Sequence, residues 1–198
     1  MATRILAAAV AGGIAMFLWG FVYWGPALNM TPRLMTRLPE SAERDVLPPL
    51  RAARTPDGMY VYPGPLAGAA DEAAQTAWEQ QLADGPVLHL AYRERGVSPL
   101  DPTMFAKGLA HCILQALLAA LLLAVAAPAL PRYRSRVAVL ALAGALAAVS
   151  TNGDNLIWRF YSPQYTAGQA AYTLVGALLA ALIIAAIVRP QAAKTADA

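Results

Sequence analysis

Charge is scarce in this chain. Asp, Glu, Lys and Arg make up 14% of its 198 residues, while 58% are hydrophobic. A soluble domain carries about a quarter charged residues, so the balance excludes an ordinary soluble domain and points to a membrane protein. Cysteine is represented by Cys112 alone, which excludes an intrachain disulfide and a thiolate metal cage. In its apolar segment Cys112 reads as a small buried hydrophobe. His89 and His111 are the only histidines, too few for a zinc site with one cysteine, and they are not arranged as a haem-ligand pair. No H-E-x-x-H, G-x-S-x-G, P-loop or Rossmann fingerprint occurs, so no cofactor is implied. The 15 basic residues give a net charge of only +3 and are dispersed, which excludes a nucleic-acid partner. No charge falls in mid-membrane, which argues against a pump built on buried carboxylates. No inverted repeat is visible, so a complete secondary transporter would need a dimer.

What the chain has is long apolar runs. Residues 5–24, 106–130, 137–158 and 168–188 each reach the roughly 20 residues that cross about 30 Å of hydrocarbon. Bulky Trp19-Gly20-Phe21-Val22-Tyr23-Trp24 closes the first run, where signal-peptide cleavage would need small residues. The run reads as an uncleaved anchor. Trp19, Tyr23 and Trp24 predict an interfacial aromatic belt. Ala8, Ala9, Gly12 and Gly13 have the spacing that lets helices approach closely.

Residues 25–105 are polar and irregular. Ser41–Asp45 starts a short helix that Pro48-Pro49 should end. Gly58–Pro65 reads as a strand, Ala69–Ala83 as a helix stopped by Gly85-Pro86, and Pro86–Tyr92 as a second strand. Such a lobe is too small to hold a substantial core alone. Ser162-Pro163-Gln164-Tyr165 reads as a turn. The predicted fold class is an all-α membrane protein: a four-transmembrane-helix bundle with a small periplasmic α+β lobe (strand-helix-strand) between spans 1 and 2.

Orientation follows from the short loops. Arg132, Arg134 and Arg136 separate spans 2 and 3; Arg4 precedes span 1; Arg189 and Lys194 follow span 4. Four spans put all of them on one side, which the positive-inside rule makes cytoplasmic. The expected location is a bacterial inner (plasma) membrane, multi-pass, with both termini and the tail 189–198 cytoplasmic and the loop 25–105 periplasmic.

One stretch breaks the apolar pattern: Ser150-Thr151-Asn152-Gly153-Asp154-Asn155, followed by Trp158 and Arg159. At about 1.5 Å per residue, Asn152 lies about 6 Å below the outer surface, His111 about 7 Å and Gln115 about 13 Å. Gln169, Tyr172 and Thr173 of span 4 fall at similar depth, with Trp19 and Tyr23 of span 1. His111 and Gln115, at i and i+4, share a face, as do Asn152, Asn155 and Arg159 if the helix continues. Intramembrane polar groups turn toward partners. Two readings follow. The residues bond to one another and fasten the helices, or they line a shallow outward-facing pocket for a ligand or lipid headgroup. The candidate ligand-binding residues are His111, Gln115, Asn152, Asp154, Asn155, Arg159 and Tyr172. Asp154 and Arg159 also read as a local salt bridge or solvated ends. An intramembrane enzyme would rest on His111 and Asp154 alone.

Gly12–Gly20, Gly58–Gly64, Gly85-Pro86-Val87-Leu88, and a polar third-span end with Trp158 and Tyr161 together resemble an uncharacterised family of small four-span proteobacterial inner-membrane proteins. The resemblance covers most of the chain. It implies the four-span architecture and no activity. The family's histidines near the first span's end and after the second strand are here replaced by Tyr23-Trp24 and Tyr92-Arg93-Glu94, so no histidine role carries over. The function expected first is a non-enzymatic accessory or interaction subunit. Its partners would be the lipid bilayer and another membrane protein, or a second copy through Ala/Gly-rich helix faces. The alternative is a small-molecule or lipid-headgroup binder, or a transporter component, using the outer polar layer.

Overall fold

A computed structural model describes residues 1–66, 68 and 71–190. In chain order these form α1 (Ala2–Trp24), α2 (Thr31–Leu34), α3 (Glu40–Ala52), β1 (Gly58–Tyr62), α4 (Glu72–Asp84), β2 (Leu88–Tyr92), α5 (Pro102–Ala126), α6 (Tyr133–Trp158) and α7 (Pro163–Ile187), with a short 3-10 turn at Ala127–Ala129. The protein is mostly helical, 71%, as the composition predicts. It divides into two compact units: Met1–Arg37 with the chain from Leu100 on, and Leu38–Pro99. The loop expected over 25–105 is thus shared between them. Of the expected tail, residues 191–198 lie outside the described residues.

The first unit is a helical bundle. Among the described residues four helices, α1, α5, α6 and α7, are long and apolar enough to cross a membrane. Over an 18-residue stretch, mean hydropathy is 1.4 in α6 against 2.2, 2.3 and 2.4 in the others, because polar residues from Ser150 on lie inside α6. Two starts differ from expectation. Asp101 and Ser162 each precede a proline and cap the helix behind it, accepting from Thr103 N at 2.9 Å and Tyr165 N at 3.2 Å. Proline at the first helical position has no amide to leave unpaired, so the expected turn at Ser162–Tyr165 is the first turn of α7. Leu6, Val10, Leu118, Leu142 and Leu146 stay exposed, a cover that a soluble protein would bury and hydrocarbon would not.

Small residues set the packing. α1 lies between α5 and α7, and α7 between α1 and α6, whereas α5 and α6, consecutive in the chain, scarcely touch. Gly13 sits against the α5 backbone: a Cβ there would come 2.6 Å from Ile113 Cα. Gly144 is similarly closed by Ala177. Ala8, Ala116, Ala120, Ala181 and Ala185 pack with Leu123, Ile184 and Val188, all buried. The predicted aromatic belt is partly turned inward. Tyr23 is 5% exposed, and its hydroxyl donates to Gly168 O at 2.7 Å, while Trp19 Nε1 donates to Tyr172 O at 3.0 Å. Buried Tyr and Trp need such partners, and the α7 carbonyls supply them. α2 belongs here: Gln164 Nε2 donates to Arg33 O at 2.7 Å, and Leu34 packs on Gly168.

At the other end of the bundle Arg136 is buried, 5% exposed. It donates to Leu130 O at 3.1 Å, Pro131 O at 2.8 Å and Ala185 O at 3.2 Å. A cation bonded to a carbonyl in the last turn of α7 is well placed against that helix's dipole, and the other two carbonyls belong to the connection between α5 and α6.

The second unit is small and open. β1 and β2 form a two-stranded antiparallel sheet, pairing Gly58 with Tyr92, Tyr60 with Leu90 and Tyr62 with Leu88; α4 connects them, as the strand-helix-strand reading expects. Trp78 Nε1 of α4 donates to Gly64 O at 2.9 Å. Asp57 receives Glu94 N at 2.8 Å and lies 4.0 Å from Arg93. α3 does not stop at the proline pair but runs through Pro48 and Pro49 to Ala52. A proline ring forfeits a bond to the carbonyl four residues back, and here those carbonyls belong to the exposed Arg44 and Asp45, where water can replace it.

Candidate functional site

The gap between α5 and α6 is a cleft of about 840 Å³, walled by those two helices, floored by α7 and closed at one point by Met16 and Trp19 of α1. On α7 its lining runs from Tyr165 to Ala181, about 24 Å along the axis. The lining follows helical periodicity: Tyr165, Gln169, Tyr172, Gly176 and Ala180 are three or four apart, so they share a face.

The cleft has two chemical halves. The end near Trp24, Pro102, Trp158 and Pro163, here the head end, carries His111 and Gln115 from α5, Thr151, Asn152 and Asn155 from α6, and Tyr165, Gln169, Tyr172 and Thr173 from α7. The other half is lined by Leu118, Ala119 and Leu122, by Leu140, Ala143 and Gly144, and by Ala177, Ala180 and Ala181. Leu118, Leu122, Ala147 and Thr151 line the cleft and are also exposed. The α5–α6 seam is therefore open to the exterior of the bundle along the span.

Most of the polar side chains bond within their own helix. Gln115 Nε2 donates to His111 Nε2 at 2.6 Å, within α5; an accepting Nε2 puts the ring proton on Nδ1. Asn152 Nδ2 donates to Ala148 O at 2.8 Å, within α6. Gln169 Nε2 donates to the Tyr165 hydroxyl at 2.8 Å and Thr173 Oγ1 to Gln169 O at 3.0 Å, both within α7. Interhelical bonding of the layer joins α1 to α7, through Trp19, Tyr23 and the Tyr172 hydroxyl, which bonds the Trp24 side chain; His111, Gln115, Asn152, Gln169 and Thr173 bond within their own helices.

Five of the seven expected site residues, His111, Gln115, Asn152, Asn155 and Tyr172, come together on this cleft. Asp154 and Arg159 do not. α6 ends at Trp158, so Arg159 leaves the face it would share with Asn152 and Asn155. Asp154 points elsewhere on the helix; both are exposed, and among the described residues they form no ion pair with each other. Thr151, Tyr165 and Cys112 also line the cleft without having been expected there. The signal for Tyr165 was the Ser162-Pro163 cap, which brings it into the α7 stripe. Among the described residues no group of three His, Cys, Asp or Glu side chains is placed to hold a metal ion.

Comparison with protein-family models, with curated proteins and with solved structures gives no match.

Proposed function

We propose that this chain is a multi-pass inner-membrane protein that holds a membrane amphiphile in the α5–α6 cleft, entering sideways from the bilayer. One observation carries the reading: a cavity open along a span seam, polar at one end and walled by Ala, Gly and Leu at the other. Its volume of about 840 Å³ lies within the 300–1,000 Å³ of ordinary ligand sites. The positive-inside rule, applied to Arg4, Arg132, Arg134 and Arg189, turns the head end outward and makes Leu38–Pro99 periplasmic. The ligand's head then lies at outer-leaflet depth and its tail in the hydrocarbon layer. No catalytic step is assigned.

Native mass spectrometry of the protein extracted in mild detergent tests the proposal. A retained lipid-sized mass is expected, and Ala143→Trp, which fills the apolar half, should remove it without lowering helicity. Absence of any adduct, or an adduct indifferent to Ala143→Trp, defeats the reading.

A second reading, the accessory subunit, is favoured by the lobe. Both strands of its sheet are edges, with Met59 57% and Leu88 55% exposed, and open edges pair readily with other chains. Purification in mild detergent that yields monomer with no second protein would count against it.

A further inference from the structure

We infer that the occupant of the cleft has an uncharged head, bearing a carbonyl or hydroxyl group, in place of a phosphate. This rests on the amphiphile reading and narrows it to a chemical class. None of the described residues lining the cleft is Asp, Glu, Lys or Arg. The charged residues of the same end, among them Arg33, Asp101, Lys107, Asp154 and Arg159, do not line it. A phosphate head would enter a low-dielectric site with no cation to meet it. Buried charge is costly unless paired, and phosphate recognition rests on Arg, Lys or clustered backbone amides. None of these lines the cleft: Tyr165, in the first turn of α7, has its amide bonded to Ser162 Oγ, and the other polar residues sit inside helices, where backbone amides are already engaged.

The groups that remain suit a neutral partner. Where His111 Nε2 accepts the Gln115 N–H, the other ring nitrogen carries a proton that it can donate. Gln115 keeps its carbonyl oxygen and a second N–H. Asn152 keeps Oδ1 once its nitrogen has bonded Ala148 O. The Asn155 amide has no partner among the described residues, and the Tyr165 hydroxyl, which accepts from Gln169, has its own proton to give. Donors and acceptors thus face one another across the head end in roughly equal number, the pattern for a group that both accepts and donates. A glyceride hydroxyl with its ester carbonyls meets this chemistry, and so does a quinone ring on an isoprenoid-like tail.

The chain carries its own reporter. Cys112 is the sole cysteine and lines the cleft beside His111, so an occupied head end shields it. The alkylation rate by N-ethylmaleimide is measured in uncharged detergent micelles doped with one probe at a time: dioleoylglycerol, decylubiquinone, dioleoylphosphatidylglycerol or dioleoylphosphatidic acid. At least one uncharged probe is expected to slow labelling about tenfold, equivalent to about 1.4 kcal/mol of occupancy, with the two anionic lipids leaving it unchanged. Which uncharged probe protects names the head. Asn155→Lys puts a cation at the head end and should transfer protection to the anionic lipids, an exchange that general loosening of the bundle would not produce. Thr151→Lys, on the same wall, replaces it if that variant does not fold. Equal or better protection by the anionic lipids on the native chain overturns the uncharged head and leaves amphiphile binding standing. Protection by no probe, with no lipid adduct in the mass spectrum, overturns both.

Discussion

Single residues divide into those that hold the bundle and those that face its gap. Arg136 is of the first kind, its guanidinium bound to three backbone carbonyls from two segments. Hydrogen bonds to charged groups contribute about 1.5–3 kcal/mol net, so Arg136→Leu is expected to destabilise the bundle by about 3 kcal/mol, read as a lowered midpoint in thermal melting in detergent. Arg136→Lys should recover only part, since an ammonium lacks the planar fork that reaches several carbonyls at once. His111 is of the second kind. His111→Leu leaves a partner of the same helix unbonded at an exposed position, so its effect on the melting midpoint should be small while probe protection of Cys112 weakens. A large loss of stability in His111→Leu would show the layer to be structural after all. The sequence shows why both kinds were hard to separate: Arg136 reads as one of three loop arginines, and only the carbonyls it meets reveal that it is buried.

At the scale of elements, the decisive positions are glycines and caps. Gly13 leaves room for the α5 backbone, since a methyl group in its place would stand 2.6 Å from Ile113 Cα. Gly13→Val is therefore expected to cost about 1–3 kcal/mol, the usual penalty of overpacking, and to loosen α1 from α5; resistance to unfolding by dodecyl sulfate measures it. Ser162→Ala should cost about 1 kcal/mol by removing the cap of α7. Hydropathy made the four spans legible to within a few residues, because bilayer thickness constrains length. Their starts were less legible. Asp101-Pro102 and Ser162-Pro163 are turn signals and helix starts in equal measure, and only the helical run behind them decides which. The lobe's strands and α4 followed from β-branched, aromatic and Gly-Pro punctuation. The helical continuation through Pro48-Pro49 did not, since proline's usual effect is to end a helix.

For the whole molecule, depth counting picked out one level and helical spacing most of the polar residues that line the cleft there, but neither reveals a gap. Whether polar groups at one depth bond to one another or surround a space depends on which helices are neighbours, and the order α5–α1–α7–α6 is written in small-residue contacts such as Gly144 with Ala177. Because Leu38–Pro99 forms its own compact unit, replacing it with a flexible Gly/Ser linker is expected to leave the bundle folded and its lipid adduct retained. Loss of helicity in that variant would show that the bundle depends on the lobe.

Two facts about the cleft's far end have a mechanical consequence. α5 and α6 are joined only by Ala127–Arg132, and Arg136 clamps that joint to the end of α7 through Ala185 O. The α5–α6 seam is thus pinned at the end where its walls are apolar, while at the head end each wall is held only by its other neighbour, α5 by α1 and α6 by α7, so a widening of the seam would be smallest at the clamp and largest where the polar groups sit.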